Sequence, residues 1–235
     1  MMMKQNMLLR AILLVSLALL ASVSAQKKDT DKRCREWAEM GECDNNPGYM
    51  RSGCQASCEY VDKKKGVEND SDIAGVRSFF ELSANDIDGG KFEFNHLYGK
   101  VTVVVNVASY CGYTENHYRG LNDLWDAFRG TGDLEIMAFP SNQFGAQEPD
   151  SCAQIKRFAL EQKKVDFRMM YKIDVNGPDA HPAYKYLKAQ AGPMQIGWNF
   201  ATYFVISPEG QVRSYSGVEP MELKDLISGI IEKEL

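Results

Sequence analysis

The chain has 235 residues, 44% of them hydrophobic, with mixed charge and a net charge of −5. That is enough apolar material for one ordinary globular core and something small beside it, and it excludes a disordered chain. Nucleic acid is excluded as a partner because phosphate binding needs concentrated positive charge, and the one basic cluster, Lys63-Lys64-Lys65, reads as a solvated linker.

At the start of the chain, Lys4 and Arg10 precede the apolar run Ala11 to Leu20, and Val23-Ser24-Ala25 supplies small residues suited to signal peptidase. Residues 1–25 are therefore expected to be a cleaved secretory signal. The run is too short to cross roughly 30 Å of hydrocarbon comfortably, which argues against an anchor. No second apolar stretch of membrane length follows. The mature protein is expected to be soluble, without a membrane span, and to sit in the secretory pathway, where cysteines pair stably.

The six cysteines divide sharply. Cys34, Cys43, Cys54 and Cys58 lie within one short segment, whereas Cys111 and Cys152 are isolated in the long remainder. This asymmetry implies two domains. A segment of about thirty residues cannot bury enough surface alone, and closing a loop of about twenty residues contributes about 3 kcal/mol in the chain-entropy model. Four cysteines permit three pairings, and spacing does not choose among them. A zinc site would need clustered pairs or histidines, but His96, His117 and His181 are scattered, so no metal is expected.

The stretch Cys34-Arg-Glu-Trp37-Ala-Glu-Met-Gly41-Glu-Cys43, with Asn46-Pro47-Gly-Tyr49-Met50 and Cys54-Gln-Ala-Ser57-Cys58, resembles the ShK-type toxin-like domain. That family usually has six cysteines, and its first and sixth, which pair, fall here at Lys27 and Val61. The resemblance then implies disulfides Cys34–Cys54 and Cys43–Cys58 within a domain spanning 26–61. Some members block potassium channels through a Lys-Tyr pair, but the matching positions are Gly48-Tyr49. A module that docks to a cell-surface or matrix partner is expected in place of a channel blocker, with a purely structural appendage as the alternative. Residues 62–77 are charged and small without apolar periodicity and read as a linker. They include Asn69-Asp70-Ser71, the single N-x-S/T triplet, which makes Asn69 the glycosylation candidate.

The large domain is expected over 78–235. Phe79 to Ser83 and Lys91 to Phe94 flank Asp88-Gly89-Gly90 as a hairpin. Val101 to Val107 is a buried strand that ends at Ala108-Ser109-Tyr110-Cys111-Gly112. Thr114 caps a helix with Tyr118, Leu121, Leu124, Trp125 and Phe128 on one face. Leu134 to Phe139 is a second buried strand; Cys152 to Gln162 and Ala183 to Ala189 are helices. Thr202 to Ile206 and Gln211 to Tyr215 form a hairpin through Pro208-Glu-Gly210, and Met221 to Lys233 closes as an amphipathic helix. This is an α/β chain in thioredoxin-like order. Trp125 and Met169-Met170-Tyr171 are assigned to packing.

A buried strand that delivers cysteine to the first turn of a helix activates sulfur, because free helix N–H groups and the macrodipole favour the nucleophilic thiolate. A disulfide shuttle would place a second cysteine three residues later, but Cys111-Gly112-Tyr113-Thr114 ends in threonine. The local sequence alone fits an inert buried cysteine equally well. Three wider segments lie in order over Ser78 to Lys233: Asn106-Val-Ala-Ser-Tyr-Cys111-Gly-Tyr-Thr114, then Phe139-Pro-Ser-Asn142-Gln143-Phe-Gly145-Ala-Gln-Glu148-Pro149, then Trp198-Asn199-Phe200. Together they resemble the glutathione peroxidases. The resemblance implies a thioredoxin-like fold of that type and a catalytic set of Cys111, Gln143, Trp198 and Asn199. It implies no metal, flavin or haem, and reduction of hydrogen peroxide and of organic or lipid hydroperoxides through a Cys111 sulfenic acid, in response to oxidative stress. Amide and indole N–H groups can donate to the thiolate and to the leaving oxygen.

The resolving cysteines of relatives match Leu160 and Ser141, so glutathione, or a thioredoxin-like or disulfide-isomerase-like protein, is expected as the reductant. Cys152 remains a candidate resolving residue. The short connection from Lys188 to Trp198 lacks the insertion of tetrameric relatives and implies a monomer. Glu148-Pro149-Asp150-Ser151, His117-Tyr118-Arg119 and Ala180-His181-Pro182-Ala183 resemble the endoplasmic-reticulum members, and Glu232-Lys233-Glu234-Leu235 is a loose version of a retrieval signal, so export and lumenal retention both stay open. The competing functions are a tethering protein whose large domain is a scaffold, and a peroxide-driven oxidase of protein thiols.

Overall fold

A computed structural model describes residues 28–68, 71–192 and 195–233. The expected signal over 1–25, Lys27, the glycosylation candidate Asn69 and the terminal pair Glu234-Leu235 lie outside the described residues. The chain divides into two compact units between Asp62 and Lys63.

The smaller unit is a set of short helices: α1 (Cys34–Glu39), α2 (Glu42–Asn45), α3 (Pro47–Gly53) and α4 (Gln55–Glu68). Gly41, at φ 88°, turns the chain from α1 to α2 in the left-handed region where a side chain would strain. Pro47 occupies the first turn of α3, where its missing N–H costs nothing. The pairs are Cys34–Cys54 and Cys43–Cys58, with Cα atoms 5.1 and 5.6 Å apart. Among the described residues, their four sulfurs pack with Ala38, Met50 and Val61 as the core of this unit, with Trp37 partly buried against it. Val61, standing where the resembled family has its sixth cysteine, is itself buried.

The expected linker over 62–77 requires correction at both ends. Helix α4 continues to Glu68, because Lys and Glu propagate helix without needing an apolar face. At the other end Ile73 is buried in the core of the large unit and Asp72 pairs with Lys185, so residues 71–77 are packed and do not span freely.

In the larger unit a hairpin of β1 (Ser83–Asn85) and β2 (Lys91–Glu93) precedes a five-stranded sheet. The first arm starts later than expected, since Phe79–Glu81 is a 3-10 turn with Ser78 accepting from the Phe80 N–H at its head. The sheet contains β3 (Val101–Val107), β4 (Leu134–Pro140), β5 (Arg168–Met169), β6 (Thr202–Ile206) and β7 (Val212–Ser216), in spatial order β5-β4-β3-β6-β7. Strand β3 runs parallel to β4, as continuous burial on both faces demands, and antiparallel to β6. The pair β4–β5 is parallel and β6–β7 antiparallel. Helix α5 (Thr114–Phe128) connects β3 to β4, and α6 (Cys152–Arg157) continues as a π-helical segment, Phe158–Gln162. Helices α7 (Pro182–Gln190) and α8 (Lys224–Ile231) complete the unit, α8 led by a 3-10 turn at Pro220–Leu223.

Two apolar layers cover the sheet. One joins Tyr118, Leu121, Leu124 and Phe128 of α5 to Val103 and Val105; the other joins Phe79, Phe94, Tyr184 and Leu187 to Val104 and Phe204. The expected face of α5 is therefore the packed one, with Trp125 partly buried against it. The packing assignment holds for Met169 and Met170 but fails for Tyr171, which is 45% exposed because the chain leaves β5 there for the surface. The two-residue β5 was too short for periodicity to register.

Candidate active site

Strand β3 reads Val-Thr-Val-Val-Val-Asn-Val, and its one amide, Asn106, is fully buried. A buried amide must find partners. Asn106 donates through Nδ2 to the Trp198 carbonyl at 3.3 Å and to Asn199 Oδ1 at 3.0 Å, while its own carbonyl accepts the Phe200 N–H at 2.8 Å. Phe200 sits at φ 64°, a region that bulky residues avoid. The bonds to Asn106 hold the Trp198-Asn199-Phe200 turn in that strained form beside the end of β3.

Beyond Val107 the chain bends through Ala108 to Cys111. The Thr114 hydroxyl donates to the Ala108 carbonyl at 2.7 Å and accepts the Cys111 N–H at 3.1 Å. Thr114 is thus the first residue of α5 and not its cap; the cap position belongs to Tyr113. Cys111 accordingly lies just ahead of the helix, its carbonyl accepting the Thr114 N–H. The sulfur-bearing residue is 7% exposed, while its neighbours Tyr110 and Tyr113 are 60% and 53% exposed. Cys111 and Cys152 are the free thiols.

Beside the turn lies a cavity of about 380 Å³ walled by Tyr113, His117, Trp198, Phe200, Val218 and Glu219. His117 shares a hydrogen bond with the Tyr203 hydroxyl, and burial lowers its pKa against the opposing pull of Glu219. Trp198, half exposed, packs its ring against Phe144, centroids 5.8 Å apart. Its partner Phe144 and the next residue Gly145 belong to the Gln143 loop, in which Gly145 and Ala146 both take positive φ.

The structure brings Cys111, Trp198 and Asn199 to one end of the sheet through Asn106. Asn199 is fully buried and its Nδ2 has no hydrogen-bond partner, which leaves a donor unspent. Gln143 is differently placed. Its Oε1 accepts the Val175 and Asn176 N–H groups at 2.8 and 2.9 Å, and its Nε2 donates to the Asn176 carbonyl at 2.9 Å. Gln143 thus clamps the loop before α7, with one amide hydrogen left over. Among the described residues no three His, Cys, Asp or Glu side chains gather as a metal site.

Several site residues escaped sequence reasoning. The segment Gln147–Asp150 straps the cysteine turn: the Tyr110 N–H donates to the Gln147 carbonyl at 3.0 Å and the Tyr110 hydroxyl to Asp150 at 2.6 Å. Lys172 closes the strap by donating through Nζ to the Glu148 and Asp150 carbonyls. Cys152 follows directly, its Sγ accepting the Lys172 N–H at 3.5 Å, at the head of α6 where Ser151 and Gln154 form a capping box. Asn106 could have been found as the lone amide in a valine strand. Lys172 left no such signal.

A free cysteine just beyond the end of a central strand and just ahead of a helix, with a donor-bearing turn bonded to that same strand, fits a thiol-based oxidoreductase of thioredoxin-like fold. Known proteins narrow that class. The family model described as glutathione peroxidase matches residues 79–188, and the ShK domain-like model matches 26–60. Glutathione peroxidase 7 of Homo sapiens is 44% identical over 136 residues, covering 58% of this chain and 71% of the relative. The glutathione peroxidase-like peroxiredoxin gpx1 of Schizosaccharomyces pombe is 40% identical over 158 residues, covering 65% and 98%. The crystal structure of T. cruzi GPX1 superposes with a TM-score of 0.55 at 31% identity, covering 66% of this chain and 97% of that one. The chain belongs to the glutathione peroxidase family, and it is a thiol-dependent peroxidase with an ShK-like domain ahead of the catalytic one.

Proposed function

We propose that Cys111 attacks the peroxide O–O bond, with Trp198 and Asn199 as donors and Gln143 as the residue that fixes the facing loop. The thiolate sulfur takes one oxygen, the other leaves as water or alcohol, and a sulfenic acid remains. The observation that carries this reading is the Asn106 clamp, which ties the Trp198-Asn199 turn to the strand that delivers Cys111. Donors held beforehand beside the reacting sulfur need no reorganisation when charge moves to the leaving oxygen.

The reductant in this proposal is an external thiol, glutathione or a thioredoxin-like or disulfide-isomerase-like protein, and no other cofactor takes part. Leu160 and Ser141 occupy the positions where relatives resolve the cycle internally. Cys152 lies two residues past the strap on Tyr110, which keeps an internal disulfide as the second reading, but its Lys172 contact and the α6 capping box would have to open first. Two bridged cysteine pairs suit an oxidising compartment and so support the secretory pathway, with the small unit as the part that meets a surface or matrix partner. Among the described residues no helix is long and apolar enough to cross a membrane.

Rapid-mixing measurement of peroxide consumption by the full chain and by Cys111→Ser tests the assignment. The variant is expected to lose at least about a thousandfold; equal, slow rates in both proteins would refute it. Peptide mapping after one equivalent of peroxide separates the reductants: Cys111 oxidised with Cys152 still a thiol supports the external one, and a Cys111–Cys152 disulfide the internal one.

A further inference from the structure

One buried acid has no part in that scheme. The Glu148 side chain is fully buried, and neither of its carboxylate oxygens has a hydrogen-bond partner. Facing it are two further buried groups in the same condition, the Ser109 hydroxyl in the turn that carries Cys111 and the Tyr118 hydroxyl on α5. The Ser109 hydroxyl and N–H stand close enough to draw the carboxyl pKa down in part, yet they fall short of completed hydrogen bonds. The backbone around Glu148 is held firmly: its N–H donates to Asn142 Oδ1 at 2.9 Å and its carbonyl accepts from Lys172. Gln147, directly before it, and Asp150, two positions after it, carry the two bonds to Tyr110. An acid so placed cannot move away from the cysteine turn without releasing the strap.

We propose that Glu148 is a positioning residue for the peroxide reaction: as a neutral acid it supports the Cys111 turn through Ser109, and as an anion it opposes negative charge there. This rests on Cys111 being the attacking sulfur. Burial is the main cause that lifts the carboxyl pKa to about 7, with Asp150 adding to it and Ser109 and Lys172 offsetting part. Its two protonation states are therefore both populated near neutral pH. The charged and titratable groups that face it are Lys172 from the segment after β5, Asp150 from its own loop, Tyr110 from the cysteine turn and Tyr118 from α5; Tyr118, fully buried, has its pKa pushed well up, and Tyr110 is raised chiefly by its bond to Asp150. Below neutrality the carboxylic O–H is a donor for the Ser109 hydroxyl. Above it, a buried anion lies beneath a turn whose reaction needs a thiolate and then sheds an alkoxide or hydroxide. Negative charge on Glu148 then opposes the negative charge that the reaction needs at Cys111, and this opposition is the coupling proposed.

The test is the pH profile of the second-order rate of Cys111 oxidation in the full chain, compared with Glu148→Gln and Glu148→Asp. Wild type and Glu148→Gln are expected to coincide at acid pH, where both side chains are neutral, and to part above pH 7, the Gln variant becoming about fivefold faster. The Asp variant, which restores an ionisable group, should bring back part of the wild-type flattening. Superimposed profiles, or a Gln variant slower by one factor at every pH, would overturn the proposal, the latter by showing a purely structural role.

Infrared titration of the buried carboxylic C=O band gives a second measure that needs no change at Glu148. Its midpoint is expected near neutral pH in wild type and lower in Cys111→Ser, whose hydroxyl stays neutral. An unchanged midpoint would overturn the coupling. This reading does not use peroxide, so its failure is distinct from a failure of Cys111 as the nucleophile.

Discussion

The two units of this chain use sulfur in opposite ways. Among the described residues of the small unit, four of the seven buried core residues are half-cystines, and Ala38, Met50 and Val61 supply the rest. So little apolar surface cannot offset the entropy of ordering the segment, and the covalent links restrict the unfolded chain instead. The large unit buries two apolar layers on a five-stranded sheet and needs no link. Its two cysteines stay free, and one of them sits where neighbouring groups can serve its chemistry. A thiol is thus left unpaired only where the core is large enough to do without the bridge.

The largest effect that would break this comparison is loss of a bridge. Cys43→Ser with Cys58→Ser is expected to cost the small unit about 2–5 kcal/mol and to unfold it. The unfolding transition of the large unit, built on a separate core, should persist in a calorimetric scan. A single merged loss of both transitions would contradict separate cores.

Within the large unit the equivalent of a staple is non-covalent. Asn106→Leu removes the donor that ties β3 to the Trp198-Asn199 turn and leaves the Trp198 carbonyl without it. The expected cost is about 2 kcal/mol, together with about a tenfold fall in peroxide rate as the turn at φ 64° relaxes. Stability lost with the rate intact would separate the clamp from catalysis.

The smallest effect concerns packing alone. A Cβ at Gly120 would lie 3.0 to 3.3 Å from the Pro220 ring atoms. Overpacking costs more than the better helix propensity returns, so Gly120→Ala is expected to destabilise the large unit by about 1 kcal/mol. Its peroxide rate should not change; a rate that fell with stability would place the Pro220 turn in the catalytic machinery.

The frame of the fold was legible in the sequence because β3, β4, β6 and α5 carry strong local patterns, mostly apolar runs for the buried strands and an apolar face for the helix. Less was legible where tertiary context decided. Phe79–Glu81 read as strand but formed a 3-10 turn, since the Phe79 ring is buried against Phe94 and Tyr186 from outside the sheet. Residues 71–77 read as linker because one buried residue, Ile73, leaves no periodic trace.

At the site, Cys111, Trp198 and Asn199 were reached through motif resemblance. Gln143 was reached the same way, but its amide is largely engaged with residues 175 and 176, a contact that no spacing reveals. Glu148 was visible only as part of the Glu-Pro motif. Its burial and its two unpartnered oxygens exist only once β4, β5 and α5 have come together around it.

The bond from Asn106 to Trp198 spans 92 positions. A ribosome completes Cys111 long before it completes the turn that serves it. Until β6 pairs with β3, the strand that leads to this sulfur has no Trp198-Asn199 turn bound to it. On the proposed assignment of Cys111, reactivity toward peroxide arrives with one of the last strand pairings, and the growing chain carries this thiol through synthesis without that turn.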